Sequence, residues 1–191
     1  MLTGTGLLTS KDDHNIKSSH FINPEGSIDT DSKDPDEGII VTIFIVCANY
    51  PTRFEKCRLV FDDPESDVAI IQVKEVAEEY NFCKFFGVTM GMDVKSIADS
   101  NTSPFNFAMG HVSLASLIHA DLLPEFKFII NDEIPLIQLH IHSFKSASGG
   151  PVFYSRGCIT GIISFGSRHN VYIVLFGKLN EIRSKMPSVS S

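Results

Sequence analysis

The segment SFKSASGGPVFYSRGCITGIISFG, residues 143–166, places Ser-Gly-Gly-Pro after a polar approach and follows it with two apolar runs. Glycines supply backbone shapes that other residues resist, and a serine beside them can be held outward for chemistry. Taken alone, the four residues are also what a simple Gly-Pro turn between two strands requires. Ser148 therefore acquires meaning only from partners elsewhere in the chain.

The flanking runs set the fold class. GIIVTIFIVC (38–47), CRLVF (57–61), DVAIIQV (67–73), FFGVTM (85–90), EFKFII (125–130), IPLIQLHIH (134–142), GPVFY (150–154), CITGIIS (158–164) and NVYIVLF (170–176) are rich in β-branched and aromatic residues. Gly, Pro, Asn and Asp break them at short intervals. This pattern predicts an antiparallel all-β barrel or sandwich. Helical spacing is scarce. It suggests two turns over 73–80, three over 111–123, and a terminal helix over 178–186 that puts Leu179, Ile182 and Met186 on one face. Residues 91–108 read as a connector between halves, and the acidic 23–37 as an exposed loop.

Composition bounds what such a protein can do. Of 191 residues 43% are hydrophobic and 20% charged, which is the composition of a folded domain. The formal net charge of -7 disfavours nucleic acid and anionic membranes as partners. No apolar run approaches the roughly 20 residues that span a bilayer. The N-terminus lacks the basic start and apolar core of a signal peptide. Cys47, Cys57, Cys83 and Cys158 fit no zinc or redox spacing. They read as reduced thiols, and the protein as cytoplasmic.

A serine becomes a nucleophile when a histidine takes its proton and a further group holds that ring. Gly4 and Gly6 open a short apolar strand, a Lys-Asp-Asp turn at 11–13 follows, and His20 with Phe21 and Ile22 ends the stretch. Asp67 stands immediately before the apolar VAII, where a carboxylate is partly desolvated and aimed inward. Asp62 and Asp63 are its rivals, and His14 is the rival of His20. The order is then His, Asp, Ser. His140 and His142 share one strand face, and with His119 they suggest a metal site. No carboxylate or cysteine completes it at a recognisable spacing, so no metal and no cofactor are expected.

With these residues the chain resembles the trypsin/chymotrypsin-fold serine proteases, most closely HtrA-type and other bacterial trypsin-like peptidases. The resemblance rests on Gly-x-Gly before His20 with 14 positions from Gly6, on DVAII at 67–71, on SGGP at 148–151 and on the Gly-Ile-hydrophobic-Ser-aromatic-Gly pattern of GIISFG at 161–166. It implies two six-stranded Greek-key β-barrels with a short C-terminal helix. Residues 1–85 would form the first lobe and 86–191 the second, with the cleft between them. It implies that Ser148 attacks the scissile carbonyl, that His20 is base and then acid, and that Asp67 orients it. The amides of Ser146 and Ser148 would form the oxyanion hole. Ser164, Phe165 and Gly166 would pair with substrate backbone, and His142 would floor the specificity pocket.

Three departures from that pattern carry consequences. Ser146 replaces the usual glycine of the oxyanion hole, which points to low resting activity or a need for activation. Ala147 replaces the aspartate that pairs with a freed N-terminus, so that activation route is absent. Only three residues precede Gly4, where the family has one more strand. The expected partner is a protein or peptide substrate, with regulation from a protein partner or larger assembly. The alternative is a protease-like domain that keeps the barrel as a protein-binding module without the chemistry.

Overall fold

Alternation beyond Leu136 shapes one strand in the second half of the protein. In Leu136–Ile141 the side chains of Ile137, Leu139 and Ile141 are buried, while His140 between them is exposed and Gln138 partly so. Side chains two apart share a face of a strand, so one face enters a core and the other meets solvent. The computed structural model describes residues 7–8, 14–17, 40–45, 53–73, 86–100, 103–117, 136–142, 147–154, 157–167, 169–175, 177–178, 181 and 184.

Eleven strands run through these residues. The first five are β1 (Leu7–Leu8), β2 (His14–Lys17), β3 (Ile40–Ile45), β4 (Arg53–Asp63) and β5 (Val68–Val73). They form one antiparallel sheet in the order β1-β2-β5-β4-β3. Val68, Ala69, Ile70 and Ile71 of β5 are all buried, so its near-continuous apolar run is covered on both faces. The six-stranded first barrel expected from the sequence is, among the described residues, a five-stranded sheet.

The remaining strands are β6 (Asp93–Ser100), β7 (Ser103–Leu117), β8 (Leu136–Ile141), β9 (Pro151–Tyr154), β10 (Ile159–Gly166) and β11 (Asn170–Leu175). They close into a barrel in the order β10-β11-β8-β7-β6-β9. Strands β6, β7 and β8 pair in succession and β9 returns to lie beside β6, which is Greek-key connectivity. Val94, Val112, Leu139, Val152, Val171 and Ile173 fill the interior. Each large aliphatic side chain buried there contributes roughly 1.5–3 kcal/mol of transfer free energy.

Three expectations are corrected. The helix expected over 111–123 is strand as far as Leu117, because β7 continues the hairpin begun with β6. Its apolar spacing fits a helix, but Val112 is buried between exposed His111 and Leu114 with a register shift at Val112/Leu114, and cross-strand pairing prevails. The connector expected over 91–108 is that β6–β7 hairpin. The strand expected over 85–90 is not one at the described residues 86–90. Phe86 donates its N–H to Ile159 at 2.9 Å, and a turn between Thr89 and Met92 then enters β6. The helix expected over 73–80 and the strand over 125–130 lie outside the described residues, apart from Val73 in β5. Most of the expected terminal helix lies outside them too. Within that segment Lys178 and Glu181 approach at 3.7 Å.

Candidate active site

Ser148 occupies the tip of a tight turn. The N–H of Gly150 donates to the carbonyl of Ala147 at 2.9 Å, closing the four residues 147–150. Gly149 has φ 81, the value that the third position of a type II turn demands and that a side chain resists. Ala147 is buried in the barrel core and Ser148 is half-buried, so the turn is anchored on one side and open at the hydroxyl-bearing residue. Pro151 follows as the first residue of β9, a strand position where proline is tolerated.

Two backbone bonds fasten this turn to β10. Gly149 donates to the carbonyl of Ile163 at 2.6 Å, and Ile163 donates to the carbonyl of Gly150 at 2.9 Å. The regular β9 ladder ends at the Pro151–Ile162 pair, and β10 runs four residues beyond it, from Ile163 to Gly166.

Asp67 arrives from the other sheet. Asp63, Pro64, Glu65 and Ser66 form a single 3-10 turn. Asp63 caps it by accepting from the Ser66 N–H at 3.3 Å, and its other oxygen accepts from the Ser66 hydroxyl at 2.7 Å. Asp67 ends the turn with φ 54 and ψ 41, donating its N–H to Pro64 at 3.1 Å. Aspartate is among the residues that tolerate this left-handed conformation. The turn delivers its carboxylate, 1% exposed, to the hydroxyl of Ser164, which donates to Asp67 Oδ2.

Ser164 reaches Asp67 because β10 is bulged there. Ile163 pairs with Ile173 and Phe165 with Tyr172, so Ser164 is the extra residue between adjacent partners. Such a bulge re-aims one side chain without breaking the sheet. Next to it Phe165 stacks on Tyr172 at 5.0 Å, and burial raises the Tyr172 phenol above its ordinary pKa.

Backbone bonds between Ile163 and both Gly149 and Gly150, with the Ser164–Asp67 bond one residue on, thus link the turn that holds Ser148 to Asp67. Phe165 is buried and Gly166 exposed at the end of the same strand. His20 and Ser146 lie outside the described residues, as does His119. Of the rivals of Asp67, Asp63 is engaged in capping, and Asp62 pairs with Ala69 in the β4–β5 ladder. His14 sits in β2, paired with Gln72. His142 is exposed just past β8, with its ring 6.0 Å from that of His169. Sequence reading did not bring out the 3-10 turn that orients Asp67. Pro at its second position and the capping-type Asp63 and Ser66 were the available signals. It also passed over His111 and His169, which join His140 and His142 only through the fold.

Comparison with solved structures defines the class first: the chain has the fold of the trypsin-like serine proteases, HtrA-type members included. The active form of the Rv3671c protease from M. tuberculosis superposes with a TM-score of 0.71 at 16% identity, over 99% of this chain and 75% of that one. The HtrA-type protease AlgW with a bound decapeptide gives 0.70 at 18% identity, over 95% of this chain and 50% of AlgW. Deg5 gives 0.66 at 17% identity, over 93% and 80%. No family model matches the sequence, and no curated protein matches it.

Proposed function

We propose that the protein is a serine endopeptidase that cleaves a protein or extended peptide through an acyl-enzyme. The observation that carries this reading is the set in which the Ser148 turn is bonded to Ile163 while the adjacent Ser164 bonds the buried Asp67. Ser148 is the nucleophile in this proposal, His20 its base and then the acid for the leaving amine, and Asp67 the group that holds the imidazole. The Ser146 and Ser148 amides receive the oxyanion, each donor being worth roughly 3–4 kcal/mol of barrier. The substrate adds as a strand beside Ser164, Phe165 and Gly166. His142 contacts the side chain before the cut. The lobes divide near residue 85, each a six-stranded barrel, with a terminal helix after β11. The thiols point to a cytoplasmic setting, and activation depends on a protein partner.

A fluorophosphonate probe tests this. Labelling of the native protein that disappears in Ser148→Ala and in His20→Ala, but persists in His14→Ala, supports the reading. Labelling that survives Ser148→Ala sinks it.

A second reading, a protease-like binding module, is favoured by one observation: Ser146 where the oxyanion hole of these proteases has glycine. Peptide binding with no labelling under any condition that orders the site would support the module.

A further inference from the structure

The turn that carries Ser148 is fastened from two sides by different means. On the β10 side the bonds are backbone to backbone, from Gly149 to Ile163 and from Ile163 to Gly150. On the other side runs β6, whose Val94, Ser96 and Ala98 are buried at every second position. The regular β6–β9 ladder ends at the Ser96–Val152 pair. Pro151, one residue nearer to Ser148, has no N–H to offer. Its carbonyl is taken by a side chain instead: the Ser96 hydroxyl donates to it at 3.1 Å.

Ser96 stands between Val94 and Ala98 of an aliphatic core and is 3% exposed. A hydroxyl in such a place costs desolvation unless its hydrogen finds an acceptor. The acceptor it has belongs to the residue that leaves the Ser-Gly-Gly turn. Ala98 meets the same stretch by packing. A Cβ on Gly150 would stand 2.9 Å from the Ala98 methyl and 2.8 Å from the Ala147 carbonyl oxygen, closer than real Cβ atoms come. Gly150 and Pro151 therefore lie against two successive inward positions of β6. Two consecutive glycines do not hold a turn by themselves, because glycine has the widest backbone freedom. The shape is imposed by these surroundings. Of the contacts named, the Ser96 bond is made by a side chain, so one substitution removes it and leaves the backbone bonds in place.

Thr160 of β10 is a matched comparison. It is 0% exposed, and its hydroxyl donates to the Val152 carbonyl, also at 3.1 Å. The two hydroxyls thus grip successive carbonyls of β9 from opposite neighbours. Val152 is paired with Gly161 on one side and with Ser96 on the other, so the ladder holds it from both. Pro151 is paired with Ile162 of β10, and Ser96 grips it from the β6 side.

We propose that Ser96 is a positioning residue for the nucleophile: its hydroxyl fixes the Pro151 carbonyl and thereby holds the Ser148 turn in the shape in which the serine reacts. The proposal rests on the endopeptidase reading for what Ser148 does, though not for how the turn is held. Without the hydroxyl a buried carbonyl loses a donor, and the change is absorbed at Gly149 and Gly150, where the chain is softest. Loss of the Thr160 hydroxyl stays within the strand, because the ladder pairs Val152 on both sides.

The test compares the full chain carrying Ser96→Ala with the full chain carrying Thr160→Val. Amide hydrogen exchange reports the turn without any chemistry at Ser148. The reference is Val112, whose N–H is bonded to Met92 in the barrel. Relative to it, Gly149 and Gly150 are expected to exchange at least about tenfold faster in Ser96→Ala and within about twofold of native in Thr160→Val. General loosening of the barrel would raise all three amides together. Fluorophosphonate labelling reports the nucleophile. Its rate at saturating probe is expected to fall at least about tenfold in Ser96→Ala, with the half-saturating concentration within about twofold, and to stay near native in Thr160→Val. Ser96→Cys, which fills the same space with a weak donor, replaces Ser96→Ala if that does not fold. Native exchange at Gly149 and Gly150 in the serine variant, an equal rise in Thr160→Val, or native-rate labelling from a loosened turn overturns the proposal. The exchange difference in a protein that never labels at Ser148 upholds the hold of Ser96 on the turn and removes the protease. Labelling of native protein with both readouts unchanged in Ser96→Ala does the reverse.

Discussion

The hydroxyl of Ser164 donates to the carboxylate of Asp67 across 97 positions of sequence, joining the bulged strand β10 of the barrel to the turn that starts β5. Both groups are buried, at 0% and 1% exposure. A buried carboxylate that loses a donor keeps its desolvation cost without the compensating bond, a loss of about 1–3 kcal/mol. Ser164→Ala is therefore expected to lower the urea midpoint by an equivalent amount with an unchanged slope. A midpoint within about 0.5 kcal/mol of native, the usual scatter of neutral substitutions, would show that this bond holds nothing together.

The turn that carries Ser148 depends on one backbone shape. Gly149 has φ 81, where a Cβ costs about 1–2 kcal/mol. Gly149→Ala is expected to destabilise by that much and to slow probe labelling at Ser148 by at least tenfold, because the turn relaxes by moving its tip. Gly87→Ala is the control. A Cβ there meets nothing within 4 Å, so stability and labelling should match native. Equal labelling of the two variants would show that the turn shape does not govern the serine.

Neighbouring residues of β8 test the register. Leu139 is 0% exposed and lies in the core, whereas His140 beside it is exposed. Leu139→Ala is expected to cost about 2–5 kcal/mol. His140→Gln should stay within about 0.5 kcal/mol. A slip of one residue would exchange these two results, because it moves every side chain to the opposite face. Urea unfolding of both variants settles the assignment.

How much of this was legible beforehand follows from the kind of signal each element carries. β5, β8, β10 and β11 are dense runs of Val, Ile and Leu bounded by Gly, Asn and Asp, and local pattern suffices to find them. β7 misled because Leu114 and Leu117 stand three apart and imitate a helix, while its pairing with β6 is a long-range fact. Asp67 was readable as a residue poised before an apolar run. Its hydrogen-bond partner was readable only as one residue of GIISFG, since the bulge that turns Ser164 toward it depends on how β10 meets β11. The grouping of His111, His140, His142 and His169 was half visible: His140 and His142 follow the two-residue period of a strand, but His111 and His169 enter through cross-strand register and a hairpin tip.

Tyr172 supplies a stability change with pH. Its ring is stacked on Phe165 at 5.0 Å, and burial pushes its phenol above the ordinary value near 10. The folded state therefore holds this proton more tightly than the unfolded chain does. Between the unfolded and folded values the native protein binds more protons, so stability falls as pH rises through that window. The contribution is fully present below pH 10 and is lost as pH climbs through the raised value. Native protein is expected to lose more of its urea midpoint between pH 9 and pH 11 than Tyr172→Phe, which keeps the ring but not the ionisable group. Removing the hydroxyl can also delete a bond of the neutral form, but that would lower the variant at pH 9 without steepening its fall toward pH 11. The difference between the two falls is therefore the quantity to read. Parallel losses in the two proteins would mean that other groups cause the alkaline loss and that this phenol is no harder to ionise in the fold than out of it.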